Sequence, residues 1–91
     1  MNRFLVVETL ELSRTNRFVV AGVVRQGFIS AGMQLCHPDH DQGFEIAKVE
    51  LVDKRGPDAE AYVALLLYLD DVTDSGFNKP QLWLGKELHC N

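Results

Sequence analysis

Short apolar runs separated by polar turns make up most of this chain. Residues 4–12 are rich in apolar and β-favouring residues and end at the polar turn Ser13-Arg14-Thr15-Asn16. Residues 17–25 follow with a high content of β-branched side chains, which favours a second strand. We expect the two segments to pair as an antiparallel hairpin across that turn. Turn signals then recur about every eight to twelve residues, a spacing typical of an all-β domain.

The rest of the chain continues this pattern. At Gln26-Gly27 and Ser30-Ala31-Gly32, glycine can supply the positive φ of a tight turn at little steric cost. Beyond these turns the pattern predicts strands at 33–37, 44–52 and 86–90, a charged turn at 53–57 and a loop at 71–82.

Residues 58–70 fit two kinds of secondary structure. Their alanine- and leucine-rich composition suits a helix, which Asp58 would cap after Pro57. A continuous apolar run hides both the helical and the strand period, so periodicity does not decide between them. Local composition favours a helix slightly, whereas the surrounding strands favour a strand that is buried on both faces.

Two of the predicted strands are apolar on both faces. One face of residues 17–25 carries Phe18, Val20, Gly22 and Val24, and the other carries Val19, Ala21 and Val23. Residues 61–69 have the same character, with Ala61, Val63, Leu65, Leu67 and Leu69 alternating with Tyr62, Ala64, Leu66 and Tyr68. Alternate residues of a barrel strand face inward and outward, so only one set in each strand can fill an interior.

The remaining set forms an outer apolar surface that needs a cover. Two alternatives for covering this surface stay equally open. Either the loop that carries Phe77 and Trp83 folds over it, or a partner docks on it. We take Val23, Tyr62 and Tyr68 as the candidate partner-binding residues, because apolar and aromatic anchors dominate interface energies.

Length and residue types bound the class of protein. The 91 residues predict a single domain covering 1–91. The apolar run at 4–7 is too short for a signal peptide, and the longest uncharged stretch, 26–38, is too short and too interrupted for a membrane-spanning helix. Two cysteines, Cys36 and Cys90, are fewer than a small secreted domain usually carries. We therefore expect a cytoplasmic protein without membrane contact and with reduced thiols, and a Cys36–Cys90 disulfide stays open.

Charge provides a second hypothesis for function. The net charge of −4 excludes a basic nucleic-acid arm and opposes non-specific binding to phosphate. The first 25 residues are nevertheless basic, with four arginines against two glutamates. This basic hairpin predicts, as the alternative to protein docking, an RNA contact through Arg14, Arg17 and Arg25, with Phe18 or Phe28 as stacking partners.

Cysteines and histidines suggest a metal site, but strand geometry argues against one. The candidate ligands are Cys36, His37, His40, His89 and Cys90. Adjacent residues of a strand point to opposite faces, so neither neighbouring Cys–His pair easily shares a metal. The paired spacings of zinc sites are missing, and no feature places a thiolate beside a histidine. We predict exposed histidines, half-buried thiols, no metal, no cofactor and no enzymatic activity.

Nucleotide binding is also not expected. Asn78-Lys79-Pro80-Gln81 resembles the guanine-reading motif N-K-x-D only in part, because Gln81 stands where the aspartate would bond the base. The chain has no phosphate-binding loop of the form G-x-x-x-x-G-K-[ST]. The clustered carboxylates Asp70, Asp71 and Asp74 are expected on an exposed loop.

A family resemblance is carried by residues 22–33. This segment reads Gly22-Val23-Val24-Arg25-Gln26-Gly27-Phe28-Ile29-Ser30-Ala31-Gly32-Met33. It resembles the G-x-V-x-x-G-x-I-x-x-G segment in the second domain of translational GTPases such as elongation factor Tu. The likeness extends to 4–7 as an opening strand, to 44–52, and to 82–88 as a short helical turn, a glycine and a closing strand.

The resemblance implies an all-β fold, a small closed six-stranded β-barrel, in which 60–69 is a strand and not a helix. The chain departs from the family at Ser13–Asn16, often a glycine-bearing turn, at Val23, often arginine, and at Met33, commonly acidic. The chain also lacks the GTPase domain against which the family's barrel packs. We therefore expect a non-catalytic docking module that binds a protein partner or a second copy of itself, with RNA or ribosome binding as the alternative.

Overall fold

Among the residues that the computed structural model describes, 1–40, 42–52 and 62–91, six antiparallel strands join edge to edge into a closed barrel. The strands are β1 (Asn2–Leu12), β2 (Arg17–Gln26), β3 (Gln34–Cys36), β4 (Phe44–Leu51), β5 (Tyr62–Tyr68) and β6 (Glu87–Cys90). Their order around the ring is β1-β2-β5-β4-β3-β6, and β6 pairs with β1 to close it. The predicted all-β fold and closed six-stranded barrel are confirmed.

The hairpin of β1 and β2 is the longest pairing in the barrel and agrees with the sequence prediction. Leu12 lies opposite Arg17, and the four residues between them form a 3₁₀ turn that ends at Asn16 in the left-handed region, with φ of 55°. Asparagine tolerates this conformation better than most residues. The register shifts between Val6 and Glu8, so Val7 forms a bulge in β1.

Two structural requirements explain why glycine stands at three positions of the 22–33 segment. Gly22 packs so closely on β1 that a Cβ atom there would overlap the carbonyl oxygen of Leu5. Gly27 and Gly32 have φ of 73° and 92°, the left-handed conformation that glycine adopts at little cost. The two predicted glycine turns are therefore confirmed, whereas Gly22 is required by a close backbone approach.

The ambiguous segment contains a strand, as the resemblance implied and against the local preference for a helix. β5 lies between β2 and β4 and pairs with both. Strand neighbours on both edges satisfy the backbone groups of β5, and Val63, Leu65 and Leu67 fill the interior. The charged turn predicted at 53–57 and the helix cap predicted at Asp58 lie outside the described residues.

The loop predicted at 71–82 is wrong at its beginning, where the chain forms the short helix α1 (Leu69–Asp74). Asn16 from the β1–β2 turn holds the first turn of this helix. Its backbone carbonyl accepts a bond from the Leu69 N–H at 3.1 Å, and its side-chain oxygen accepts one from the Asp70 N–H at 3.1 Å. Because this cap comes from a distant part of the chain, the local sequence does not reveal it.

Trp83 closes one end of the barrel. It follows a 3₁₀ turn at Pro80–Leu82 and is fully buried, with its ring centroid 5.6 Å from those of Phe18 and Phe44. β5 and β6 lie on opposite sides of the ring, so the chain between them has to cross the barrel end. The alternative in which this loop folds over the outer apolar surface is wrong, since its large apolar residues join the interior core.

The interior is filled by inward-facing side chains from every strand. The fully or almost fully buried members of this core are Phe4, Val6, Phe18, Val20, Leu35, Phe44, Ile46, Val63, Leu65, Leu67, Val72, Trp83, Leu88 and Cys90. Burial of each large side chain contributes about 1.5–3 kcal/mol to stability. In the described part of the chain, no helix has the length and apolar character needed to cross a membrane.

Candidate docking face

A second apolar cluster lies on the outside of the barrel, across β2 and β5. Three cross-strand pairs form it, with Val19 opposite Leu66, Ala21 opposite Ala64 and Val23 opposite Tyr62. We call these six residues the outer cluster. It exists because both strands are apolar on both faces, while the interior accepts only one face of each.

The outer cluster packs as a unit separate from the interior core. Ala21, Tyr62 and Ala64 are at most 8% exposed, and the other three members are half-buried against them. Val52, just after β4, also packs against this cluster. Aromatic and β-branched cross-strand pairs such as Val23–Tyr62 contribute about 0.2–1 kcal/mol each to sheet stability.

A hollow of about 300 Å³ adjoins the outer cluster. Its lining residues come from three strands and from the residue just after β4, and they are Glu8, Thr9, Leu10, Val19, Ala21, Val52, Tyr62 and Ala64. Most of them are apolar, with one carboxylate at the side. A hollow of this size accommodates a large apolar side chain more readily than a whole cofactor, since small-molecule sites are usually larger.

A hydrogen bond joins Glu8 and Tyr62 in the lining of the hollow. The Tyr62 hydroxyl donates a hydrogen bond to Glu8 Oε1 over 2.6 Å. Burial raises the pKa of Tyr62 to about 12, and both the hydrogen bond and the negative charge of Glu8 act in the same direction. The phenol is therefore held in its neutral form, donating to a carboxylate at the side of an apolar surface.

Charged groups lie around the outer cluster. Lys48 and Glu50 of β4, which are opposite Leu66 and Ala64 in the ladder, form an exposed ion pair at 3.1 Å. At the other side, the Arg17 guanidinium lies 5.0 Å above the Tyr68 ring. An apolar centre with a charged margin is the usual anatomy of a protein interface.

The three candidate contact residues have different surroundings. Val23 and Tyr62 are both in the outer cluster, where Val23 is half-buried and Tyr62 is mostly buried. Tyr68 lies beyond the cluster, under Arg17. Leu10 was missed in the sequence analysis: it is 57% exposed and lies opposite Val19. The four-residue hairpin turn fixes that register, so counting back from Leu12 and Arg17 finds the pair.

The arginines of the RNA hypothesis lie at two ends of the hairpin. Arg14 and Arg17 are at the turn, whereas Arg25 is near the other end of β2, about 26 Å away at the usual rise of a strand. Phe18 is only 1% exposed inside the barrel, so its proposed role as a stacking partner is wrong. Phe28 is 69% exposed and lies close to Arg25 in the chain.

The candidate metal ligands include one buried histidine. His37 is 2% exposed, and its Nε2 lies 2.6 Å from the Leu82 carbonyl oxygen while its Nδ1 accepts the Asp39 N–H at 3.1 Å. In this pattern Nδ1 is the acceptor and Nε2 faces a carbonyl that can only accept. The expectation of exposed histidines is therefore wrong for His37. Within 1–40, 42–52 and 62–91, no group of three or more His, Cys, Asp or Glu residues is arranged to hold a metal ion.

Both cysteines are free thiols. Cys36 is half-buried, as expected, but Cys90 is 2% exposed, so the expectation of a half-buried thiol is wrong there. Its burial follows from the register, which places it opposite Leu35 inside the barrel. Burial, assisted by the nearby Cys36, raises the pKa of the Cys90 thiol to about 12, so it is protonated at neutral pH.

A second hollow, of about 360 Å³, has polar walls at the barrel end. Its lining includes His40, Asp71, Asp74 and Ser75. The Ser75 hydroxyl bonds to helix α1 carbonyls, and His40 Nδ1 lies 2.6 Å from the Gln42 carbonyl oxygen. Across the described ranges, no hydrogen bond joins a serine or cysteine to a histidine, the arrangement that activates a nucleophile.

Comparisons of this chain with protein-family models, with curated proteins and with solved structures find no match in any of the three. The fold and the outer cluster therefore provide the basis for a functional hypothesis.

Proposed function

We propose that this chain is a non-catalytic, cytoplasmic docking module that binds a protein partner through the outer cluster. The outer cluster carries the proposal: six apolar residues pack together outside a barrel whose interior is already filled by other side chains. Half-buried apolar side chains on the outside of the barrel, together with the 57% exposed Leu10 beside them, form the kind of apolar patch that interaction sites present. The closed six-stranded ring is compatible with the resemblance to the second domain of translational GTPases, which we keep as part of the proposal.

The expected anchor is a large apolar side chain of the partner. It would enter the hollow beside Leu10 and contact Val19, Ala21 and Ala64 at its floor. The neutral Tyr62 phenol, bonded to Glu8, keeps a polar group satisfied at the side of this contact. A buried polar group with a partner avoids the cost of an unsatisfied donor at an interface.

Affinity capture from a native lysate tests this proposal when it is combined with variants of the face. Leu10→Asp places a charge on an exposed side chain, so the fold is expected to tolerate it, and Val23→Asp places one within the outer cluster. We expect both variants to reduce recovery of the partner at least about tenfold, the loss typical of an interface anchor. Phe28→Asp is the matched control, because Phe28 is also exposed but lies beyond the end of β2 and outside the outer cluster.

Three results would contradict docking of a different protein at this face. The first is equal recovery of the same partner by wild type and by both variants that keep the barrel's circular dichroism spectrum. The second is a capture that ribonuclease abolishes, which would instead support the RNA hypothesis of Arg14, Arg17 and Arg25. The third is concentration-dependent self-association that the two variants remove, which would identify the occupant as a second copy of the chain.

A further inference from the structure

Strand β1 has an edge without a ladder partner among the described residues. β1 is eleven residues long, but β6 is only four and pairs with Asn2 to Leu5. Val6 adds two backbone bonds, to Lys86 and Gly85. From Val7 to Leu12 the strand continues to pair with β2 on one side, while no described residue pairs with it on the other. Unpaired edge groups are a template for an added strand.

This edge segment, residues 7–12, is unusually apolar for an exposed edge. Val7, Leu10 and Leu12 are 45%, 57% and 38% exposed. Leu10 also lies opposite Val19, so the edge is continuous with the outer cluster. The Val7 bulge bends the strand at the start of this edge segment, and Glu8 to Leu12 follow in regular register with β2.

The charge of the edge segment indicates what can occupy it. The segment contains Glu8 and Glu11 but no lysine or arginine. Self-pairing of two such edges would place the Glu11 carboxylates of both copies in one short ladder with no cation from either edge segment, which is destabilising. Glu11 is exposed and forms no ion pair within the part of the chain that the structure describes. A strand with a lysine or arginine opposite Glu11 would complement it.

We propose that residues 7–12 of β1 bind an extended segment of a protein partner as an added β-strand. The segment has apolar residues beside Leu10 and Leu12 and a lysine or arginine beside Glu11. Backbone hydrogen bonds along the edge supply affinity, while the alternating side chains supply specificity. The inference rests on the proposed docking function and specifies its mode and the chemistry of its partner.

Synthetic peptides test this inference directly on the intact chain. The probe is a capped peptide of alternating valine and lysine, and the matched control alternates valine and glutamate. In an amide NMR titration we expect the valine–lysine peptide to shift the amides of residues 7–12 and their β2 partners. The valine–glutamate peptide should bind about two- to fivefold more weakly, the range of one cross-strand charge pair.

Glu11→Lys is expected to reverse this preference, because it reverses the charge that faces the peptide. Glu45→Lys is the matched control, since it makes the same charge change at an exposed position on β4. Two further peptides, methylated on alternate sets of backbone amides, test the added strand itself. Only one set of amides faces β1 in an added strand, so one peptide should lose binding and the other should keep it.

The inference is overturned by either of two results. One is the absence of shifts at residues 7–12 with the valine–lysine peptide, and the other is equal binding of both methylated peptides. Neither result affects the capture experiment, in which Val23→Asp tests the outer cluster without touching the edge. Conversely, the capture experiment can contradict docking at the outer cluster while the peptide still binds at the edge. The edge would then bind a strand, but not from the partner that we propose.

Discussion

Tyr62 is on the outside of a barrel strand and is nevertheless only 8% exposed. Its ring packs with Ala21 and Ala64, and its hydroxyl reaches Glu8 across the face of β2. The pKa of the phenol rises from 10.0 in the unfolded chain to about 12 in the folded protein, chiefly because burial disfavours the phenolate. Folding therefore favours the protonated phenol, and this contribution to stability is complete below pH 10 and is lost as the pH rises from 10 to 12.

We expect the phenolate of Tyr62 to appear with a midpoint of about 12. Ultraviolet absorbance measures it in a Tyr68→Phe background, which leaves one tyrosine. Glu8→Gln should lower the midpoint only partly towards 10.0, because burial, the largest cause, remains. A midpoint near 10 in the folded Tyr68→Phe protein would show that Tyr62 is not enclosed in the outer cluster.

At the scale of elements, the chain between β5 and β6 closes one end of the barrel. Helix α1 contributes Val72 to the core, and the 3₁₀ turn places Trp83 among Phe18, Phe44 and His37. The Trp83 indole N–H donates to the Phe77 carbonyl, so its polar atom is satisfied although the ring is fully buried.

Trp83→Ala is expected to destabilise the protein by roughly 3–5 kcal/mol, the usual cost of removing a large buried aromatic ring. Urea unfolding followed by circular dichroism gives the free energy of unfolding. The neighbouring variant Leu84→Ala is the control, because Leu84 is 46% exposed and its loss should change stability by less than about 1 kcal/mol. If the two variants lost similar amounts of unfolding free energy, the role of Trp83 in closing the barrel end would be contradicted.

At the scale of the whole molecule, closure of the ring depends on the short strand β6. It pairs with β1 on one side and with β3 on the other, and its buried residues are Leu88 and Cys90. Because Cys90 points into the interior, its thiol meets solvent only when β6 separates from a neighbour. Its reactivity therefore reports on opening of the barrel.

Cys90 is expected to alkylate at least about a hundredfold more slowly in the native protein than in the unfolded chain, because exposing it requires opening of the core. Its raised pKa lowers the thiolate fraction further at neutral pH. The rate is measured in Cys36→Ser, where one thiol remains, and should increase with urea. Native and unfolded rates that are equal would contradict the enclosure of the Cys90 side chain inside the barrel.

The sequence alone predicted the hairpin, the two glycine turns and the double-sided apolarity of β2 and β5, because each follows from neighbouring residues. The turn at 13–16 sets the register of the hairpin, and the positive φ of Gly27 and Gly32 is a local property. The strand at Tyr62–Tyr68 came from the family resemblance, since its local composition suits a helix.

Tertiary structure decided which apolar face is inside and which residues close the barrel end. Curvature and closure select Val63, Leu65 and Leu67 for the interior and leave the outer cluster outside, a choice that alternation cannot make. The cap that Asn16 gives α1 and the position of Trp83 depend on residues far apart in the chain. Short-range preferences therefore determined the strands and turns of this protein, whereas long-range packing determined which apolar residues fill the interior and which pack on the outside.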